Sequence, residues 1–183
     1  LQETVRRHDE VRSVKYLDDV DHALGTAYSS LRELLTNFRN RMDPHGLLHA
    51  LQDTVDGFHD KTGVALEFAN HAPELDLPPE QEVQVFHIVQ EALANVGKHA
   101  HAGCARLELD KRGGRYLITI EDDGDGLMPG ATERAPGEED ADRNVRFGIN
   151  IMRERAQRLG GQIALESLPG GGTRVRLEFP APG

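Results

Sequence analysis

Two pairs of strand-like runs, each closed by a glycine turn, limit most sharply what this chain can become. Residues 104–110 (CARLELD) and 115–122 (RYLITIED) are joined by Lys111, Arg112, Gly113 and Gly114, and residues 162–167 (QIALES) and 173–179 (TRVRLEF) flank LPGGG. Apolar and polar side chains alternate along them, so each strand buries one face, and a short glycine-bearing connection makes each pair an antiparallel hairpin. A half-apolar sheet needs a cover. Pro78 and Pro79 open a helix to about Lys98, and its residues Val83, Val85, Phe86, Ile88, Val89, Ala92, Leu93 and Val96 cover most of its circumference, which predicts burial. Asp43 caps an earlier helix that starts at Pro44, buries Leu47, Leu48, Leu51, Val55 and Phe58, and closes at Gly63. Residues 64–69 (VALEFA) read as a strand, and GINIMRERAQRL as a helix from about Gly148 to the stop at Gly160 and Gly161. This order predicts an α/β fold, a two-layer α/β sandwich with a mixed sheet.

Ahead of that domain, Leu17, Val20, Leu24, Ala27, Leu31, Leu34 and Phe38 follow each other at alternating steps of three and four. That is the seam of a coiled coil or helical bundle; the rival reading is a helix lying on its own domain. Pro44 should stop it near Arg41.

Charge and cysteine usage exclude several classes. The net charge of −10 argues against a general nucleic-acid binder. A single cysteine, Cys104, excludes an internal disulfide and a cysteine-built zinc site. No apolar run approaches about 18 residues, so no membrane span is expected, and there is no signal peptide. These features fit a cytoplasmic location. The chain opens at Leu1 rather than Met, as expected for a piece of a longer protein. Nine acids and one base between Glu121 and Asp142 carry −8 of the total, amid Gly124, Gly126, Pro129, Gly130, Pro136 and Gly137. Like charges and helix breakers predict a mobile loop over about 127–146.

Three glycine clusters stand out: Asp122–Gly126 (DDGDG), Phe147–Gly148 and Gly170–Thr173 (GGGT). None is a Walker A loop, and each alone reads as a turn. Each sits where a strand or loop meets another element, and each lets backbone approach a ligand closely. Glu91, Asn95, Lys98 and His99 share one face of the buried helix, where polar groups need partners; a carboxylate, an amide and an ammonium together suit Mg²⁺ and phosphate oxygens. A solvent-exposed last turn is the plainer account of Lys98 and His99. His45 and His49 lie four apart without the Glu of an HExxH pattern, which makes them surface residues.

QEALANVGKHA, DDGDG, FGINIMRERAQRLGG and GGGT, in that order, resemble the N, G1, G2 and G3 boxes of the GHKL superfamily, whose ATP-binding fold is also called the Bergerat fold. Among its members the chain looks most like the catalytic domain of sensor histidine kinases. LRELLTNFR resembles the second dimerisation helix of nitrate/nitrite sensor kinases of the NarX/NarQ type, and the likeness covers roughly residues 9–179.

The resemblance implies ATP and Mg²⁺. Asp122 would accept a hydrogen bond from the adenine amino group, and Gly124 and Gly126 would give the nucleotide room. Asn95 would ligate Mg²⁺, Glu91 would support the metal or orient a water, and Lys98 would face the phosphates. Gly148 would start a helix whose amides meet phosphate. Thr173 would assist at the adenine, with Gly170, Gly171 and Gly172 shaping the wall. Asp123 and Asp125 depart from the usual Asn and apolar residue of the G1 box, and Gln90 from a common Arg. Two extra acids beside a polyphosphate are unfavourable unless they face solvent or Mg²⁺.

The family's ELHD-type phosphoacceptor motif is missing. His8–Asp9 matches only the dipeptide, and it sits 23 residues before Leu31, too near for two long antiparallel helices. The acceptor is therefore expected upstream of Leu1. The expected organisation is 1–42, part of the dimerisation and phosphoacceptor region, and 43–183, the ATP-binding catalytic domain. The expected partners are a second copy in the intact protein and a response-regulator receiver domain, with no nucleic acid and no membrane contact from this piece. The whole protein would be an inner-membrane sensor with this part in the cytoplasm. The rival readings are a GHKL ATPase with Glu91 as base, and a dimerisation module with an inactive pocket.

Overall fold

A computed structural model describes residues 46–127 and 140–182. All belong to the compact unit Asp43–Gly183. The heptad seam, His8, the cap at Asp43 and Pro44, His45 and the acidic stretch 128–139 lie outside the described residues.

The elements are α1 (Gly46–Asp56), α2 (Phe58–Thr62), β1 (Ala65–Asn70), α3 (Pro79–His99), β2 (Cys104–Arg112), β3 (Arg115–Asp122), α4 (Asp140–Arg158), β4 (Gln162–Ser167) and β5 (Thr173–Pro180). One five-stranded sheet runs in the order β1-β2-β3-β5-β4. β1 and β2 are parallel, because α3 crosses between them; the other neighbours are antiparallel. The mixed α/β sandwich is therefore as the alternation predicts.

Period-two burial is strict in the central strands. Ala105, Leu107 and Leu109 of β2, Tyr116, Ile118 and Ile120 of β3, and Val175, Leu177 and Phe179 of β5 are buried. They meet Val85, Ile88, Val89, Ala92 and Leu93 of α3 and Ile149, Met152, Ala156 and Leu159 of α4 in one core. The opposite sheet face is polar. Glu67, Arg106, Glu121, Arg174 and Glu166 occupy successive register positions, one per strand. Arg106 pairs with Glu67 at 3.7 Å, and Arg174 pairs with Glu121 and, at 3.0 Å, with Glu166. Each such pair adds little stability, but together they leave that face wet, which keeps the fold at two layers.

Three local expectations change. The first hairpin turns in two residues rather than four. Gly113 and Gly114 both have positive φ (56° and 75°), which matches the twist of the flanking strands and lets Arg112 pair with Arg115. The single helix predicted up to Gly63 is broken at Gly57, a poor helix former, into α1 and α2; Gly63 caps α2 in the left-handed region with its N–H on the His59 carbonyl.

The third change bears on the site. α4 begins at Asp140, eight residues ahead of Gly148. No Gly or Pro stands between 138 and 147, so nothing stops the helix from extending upstream. Residues 140–146, expected in a mobile loop, are helical. Gly148 is buried inside the helix and does not start it.

Candidate functional site

The site grows from the end of β3. Asp122 completes the buried side of the strand's alternation and is 7% exposed. A buried carboxylate needs partners. Its Oδ1 accepts the backbone N–H of Gly124 at 2.9 Å and of Thr173 at 3.2 Å. No side-chain or backbone donor occupies Oδ2 among the described residues. A carboxylate fixed through one oxygen and offering the other suits an amino group such as that of adenine.

The two glycine clusters pack backbone to backbone around Asp122. A Cβ on Gly172 (φ +91°) would lie 1.9 Å from the Asp122 carbonyl oxygen, and one on Gly124 would lie 2.0 Å from the Ala100 carbonyl oxygen. Gly126 (φ +83°) faces Gly172 and Ser167, and the Ser167 Oγ accepts the Leu127 N–H at 3.0 Å. A Cβ at Gly124 would meet the Ala100 backbone, and one at Gly126 the Gly172 carbonyl oxygen and the Ser167 side chain, so these glycines let three segments converge. Gly170 alone in GGGT has open space where a Cβ would go.

A second cluster forms between α3 and α4. A Cβ on Gly148 would lie 2.3 Å from Glu91 Oε1, so this glycine admits the Glu91 carboxylate against α4. Seven residues along each helix, Arg155 Nη1 donates to Gln84 Oε1 at 3.0 Å. The two contacts step in opposite directions along the two chains, so α4 runs antiparallel to α3. Gly148 thereby supports Glu91, a different role from the helix-starting anion site expected of it.

Asn95 is half-buried and Lys98 exposed. Neither makes a side-chain hydrogen bond or ion pair among the described residues. Ala100, just past the end of α3, meets the glycine loop: its carbonyl accepts the Asp125 N–H at 2.9 Å. One helix thus carries Glu91, Asn95 and Lys98 and abuts the loop that follows Asp122. Glu91 and Asn95 are hard oxygen donors one turn apart, a set that fits Mg²⁺, which completes its shell with phosphate oxygens and water. No group of three or more His, Cys, Asp or Glu side chains suited to a metal occurs among the described residues.

The two acids that looked like liabilities have work elsewhere. Asp123 Oδ1 accepts the N–H of Gly103 at 2.8 Å and of Cys104 at 2.9 Å, while its Oδ2 accepts the Cys104 thiol at 3.2 Å. The Cys104 amide and thiol, with the Gly103 amide, hold this carboxyl below the usual carboxylate range, and the same hydrogen bond pushes the thiol up. Asp125 Oδ2 lies 2.8 Å from His101 Nδ1, and His101 has a φ of 50°. Asp123, Asp125, His101 and Ser167 are residues that sequence reasoning missed as parts of the site. A signal existed for Asp123: a two-residue turn at Gly113–Gly114 fixes the register that sets it opposite Cys104.

Residues 80–183 match the profile of the family described as Histidine kinase-, DNA gyrase B-, and HSP90-like ATPase. The chain is 33% identical over 172 residues to the nitrate/nitrite sensor protein NarQ of Escherichia coli (strain K12), covering 93% of this chain and 29% of that protein. It is 29% identical over 167 residues to the nitrate/nitrite sensor protein NarX of the same organism, covering 91% and 26%. To the signal transduction histidine-protein kinase/phosphatase DegS of Brevibacillus brevis it is 27% identical over 169 residues, covering 92% and 41%. Among solved structures it resembles the histidine kinase domain of the Erythrobacter litoralis EL346 blue-light activated histidine kinase, with a TM-score of 0.57 and 26% identity, covering 74% of this chain and 61% of that one. The chain therefore spans less than half the length of these curated relatives.

Proposed function

The chain belongs to the histidine kinase-, DNA gyrase B- and HSP90-like ATPase family, and we propose that it is the ATP-binding catalytic part of a two-component sensor histidine kinase. The observation that carries this reading is Asp122: buried, held through Oδ1 by two amides from two glycine clusters, with Oδ2 left to accept the adenine amino group. Asn95 and Glu91 would hold Mg²⁺, which screens phosphate charge, and Lys98 would meet the phosphates. Thr173 would assist at the adenine through the backbone it lends to Asp122, and Gly170 would border the nucleotide. Gly124, Gly126, Gly171 and Gly172 serve by letting the loops converge, and Gly148 by admitting Glu91.

In the whole protein the γ-phosphoryl of ATP would pass to a histidine on a helical bundle and then to an aspartate of a response regulator. Catalysis would rest on positioning and charge neutralisation. Residues 1–42 would belong to that bundle and dimerise with a second copy, and 43–183 would be the catalytic domain. The NarQ and NarX relatives favour nitrate/nitrite signalling, with this part on the cytoplasmic side of a membrane sensor. No helix of the described residues is long and apolar enough to cross a membrane.

Calorimetry with ADP tests the reading. Affinity should need Mg²⁺, and Asn95→Ala should remove that dependence while Lys98→Ala weakens ADP more than AMP. A chain that binds no adenine nucleotide would overturn the proposal.

A further inference from the structure

We propose that Asp123 is a positioning residue: it clamps the loop carrying Asp122 to the segment that follows α3, so that the two ends of the nucleotide site move as one body. This inference rests on the reading of the site as a nucleotide pocket.

The β2–β3 register ends at Ala105 opposite Asp122, and the next step brings Asp123 opposite Cys104, where the Asp123 N–H reaches the Cys104 carbonyl at 3.2 Å. The Asp123 side chain then turns back on Cys104 and its neighbour, taking the amides of Gly103 and Cys104 on Oδ1 and the thiol on Oδ2. Main chain and side chain of one residue thus grip the junction between β2 and the short linker that precedes it. That linker, residues 100–103, hangs from the end of α3, the helix that bears Glu91, Asn95 and Lys98. Gly124, immediately after Asp123, reaches the linker's Ala100 carbonyl, and Asp125 donates its N–H to the same oxygen. The hydrogen bond from Gly124 to Asp122 Oδ1 closes the chain of contacts. Release of Asp123 loosens the Gly124 donor, one of the two amides that orient the Asp122 carboxylate. The negative charge at 123, unfavourable beside polyphosphate, is spent on two amides and a thiol.

An asparagine Oδ1 can accept the same two amides, but its amide nitrogen cannot accept the thiol hydrogen. Two variants therefore separate the clamp from its charge, and Cys104, the sole cysteine, reports on the contact directly. The thiolate is the reactive form, so a thiol that donates to a carboxylate alkylates slowly.

The experiment measures Mg-ADP affinity of wild type, Asp123→Ala and Asp123→Asn, and the rate at which iodoacetamide modifies Cys104 in the nucleotide-free chains. With two amide bonds lost, Asp123→Ala should weaken binding by about tenfold, and Asp123→Asn should restore it to within about threefold of wild type. Alkylation of Cys104 should be several-fold faster in Asp123→Asn than in wild type. Wild-type affinity in Asp123→Ala, an equal loss in Asp123→Asn, or an unchanged alkylation rate in Asp123→Asn would each overturn the proposal. A wild-type chain that binds no Mg-ADP is a separate failure. It removes the nucleotide reading, while the alkylation rates still decide whether the clamp exists.

Discussion

Replacing Gly148 by alanine sets two effects against each other. A glycine inside a helix is about 1 kcal/mol less favourable than alanine, so the backbone alone gains from the substitution. The new Cβ, however, would lie 2.3 Å from Glu91 Oε1 and 3.1 Å from its Cδ, and its three nearest atoms all belong to Glu91. Ordinary contact begins at 3.4 Å, so the oxygen must retreat by the difference, 1.1 Å. The obstacle is the far end of a flexible side chain. Moving it off its rotamer costs about 0.5–1.5 kcal/mol, and a hydrogen bond broken on the way costs about 1 kcal/mol more. Gain and cost nearly cancel, which leaves the variant within about 1.5 kcal/mol of wild type, a shift of less than about 6 °C in Tm. Function should not be spared, because the displaced group is the carboxylate assigned to the metal. Thermal unfolding with and without Mg-ADP reads both effects. Ligand at a hundred times its Kd stabilises wild type by about 2.7 kcal/mol, and Gly148→Ala should lose most of that increment while its ligand-free Tm barely moves. A ligand-free loss above about 4 kcal/mol would mean that the contact is rigid, contrary to the reasoning. A full nucleotide shift in the variant would mean that Glu91 has no part in the site.

Gly172→Ala puts a side chain at φ +91° and 1.9 Å from a backbone oxygen that cannot yield, so chemical denaturation should show a loss of about 3 kcal/mol or more, whereas Gly170→Ala should stay within about 0.5 kcal/mol. The Asp123 carboxyl is depressed in the fold, so its stabilisation is present above the ordinary value of about 3.9 and is lost as pH falls through the depressed one. The stability gap between wild type and Asp123→Asn should accordingly close in acid and be widest near neutral pH; a gap independent of pH would contradict this. Because the 183 residues contain no ELHD-type motif, incubation with labelled ATP should leave no acid-labile phosphate on the chain, and stable labelling of His8 would overturn that expectation.

Elements whose signal is a side-chain period were legible. The alternation in LITI and RVRLEF, and the near-continuous apolar surface around Ile88 and Leu93, are enough to assign strands, the buried helix and a two-layer sandwich. Elements that depend on a missing stop were not. Gly148 reads as a helix boundary because glycine is the usual breaker, yet it is tolerated inside α4 because Glu91 fills the space that a Cβ would take. The glycines of DDGDG and GGGT read from the sequence as a pair of boxes, but the contacts that demand glycine there do not. These glycines accommodate each other and Ala100, a fact that depends on which loops the sheet order brings together. Asp123 and Asp125 illustrate the same limit. As isolated charges they look unfavourable beside phosphate; the hairpin register reveals the amides that donate to Asp123, and only the fold of the glycine loop brings Asp125 to His101.

The most direct test of the account is Mg-ADP affinity of Asp122→Asn measured by calorimetry. Asparagine can keep its Oδ1 on the Gly124 and Thr173 amides, so the loop should hold and the ligand-free Tm should stay near that of wild type. Its other atom becomes a donor facing the adenine amino group, and two donors in opposition should cost about 1–3 kcal/mol, roughly 5- to 150-fold in Kd. That loss, in a variant as stable as its parent, is the predicted result; an unchanged affinity in the folded variant would remove Asp122 from the nucleotide site and contradict the central claim.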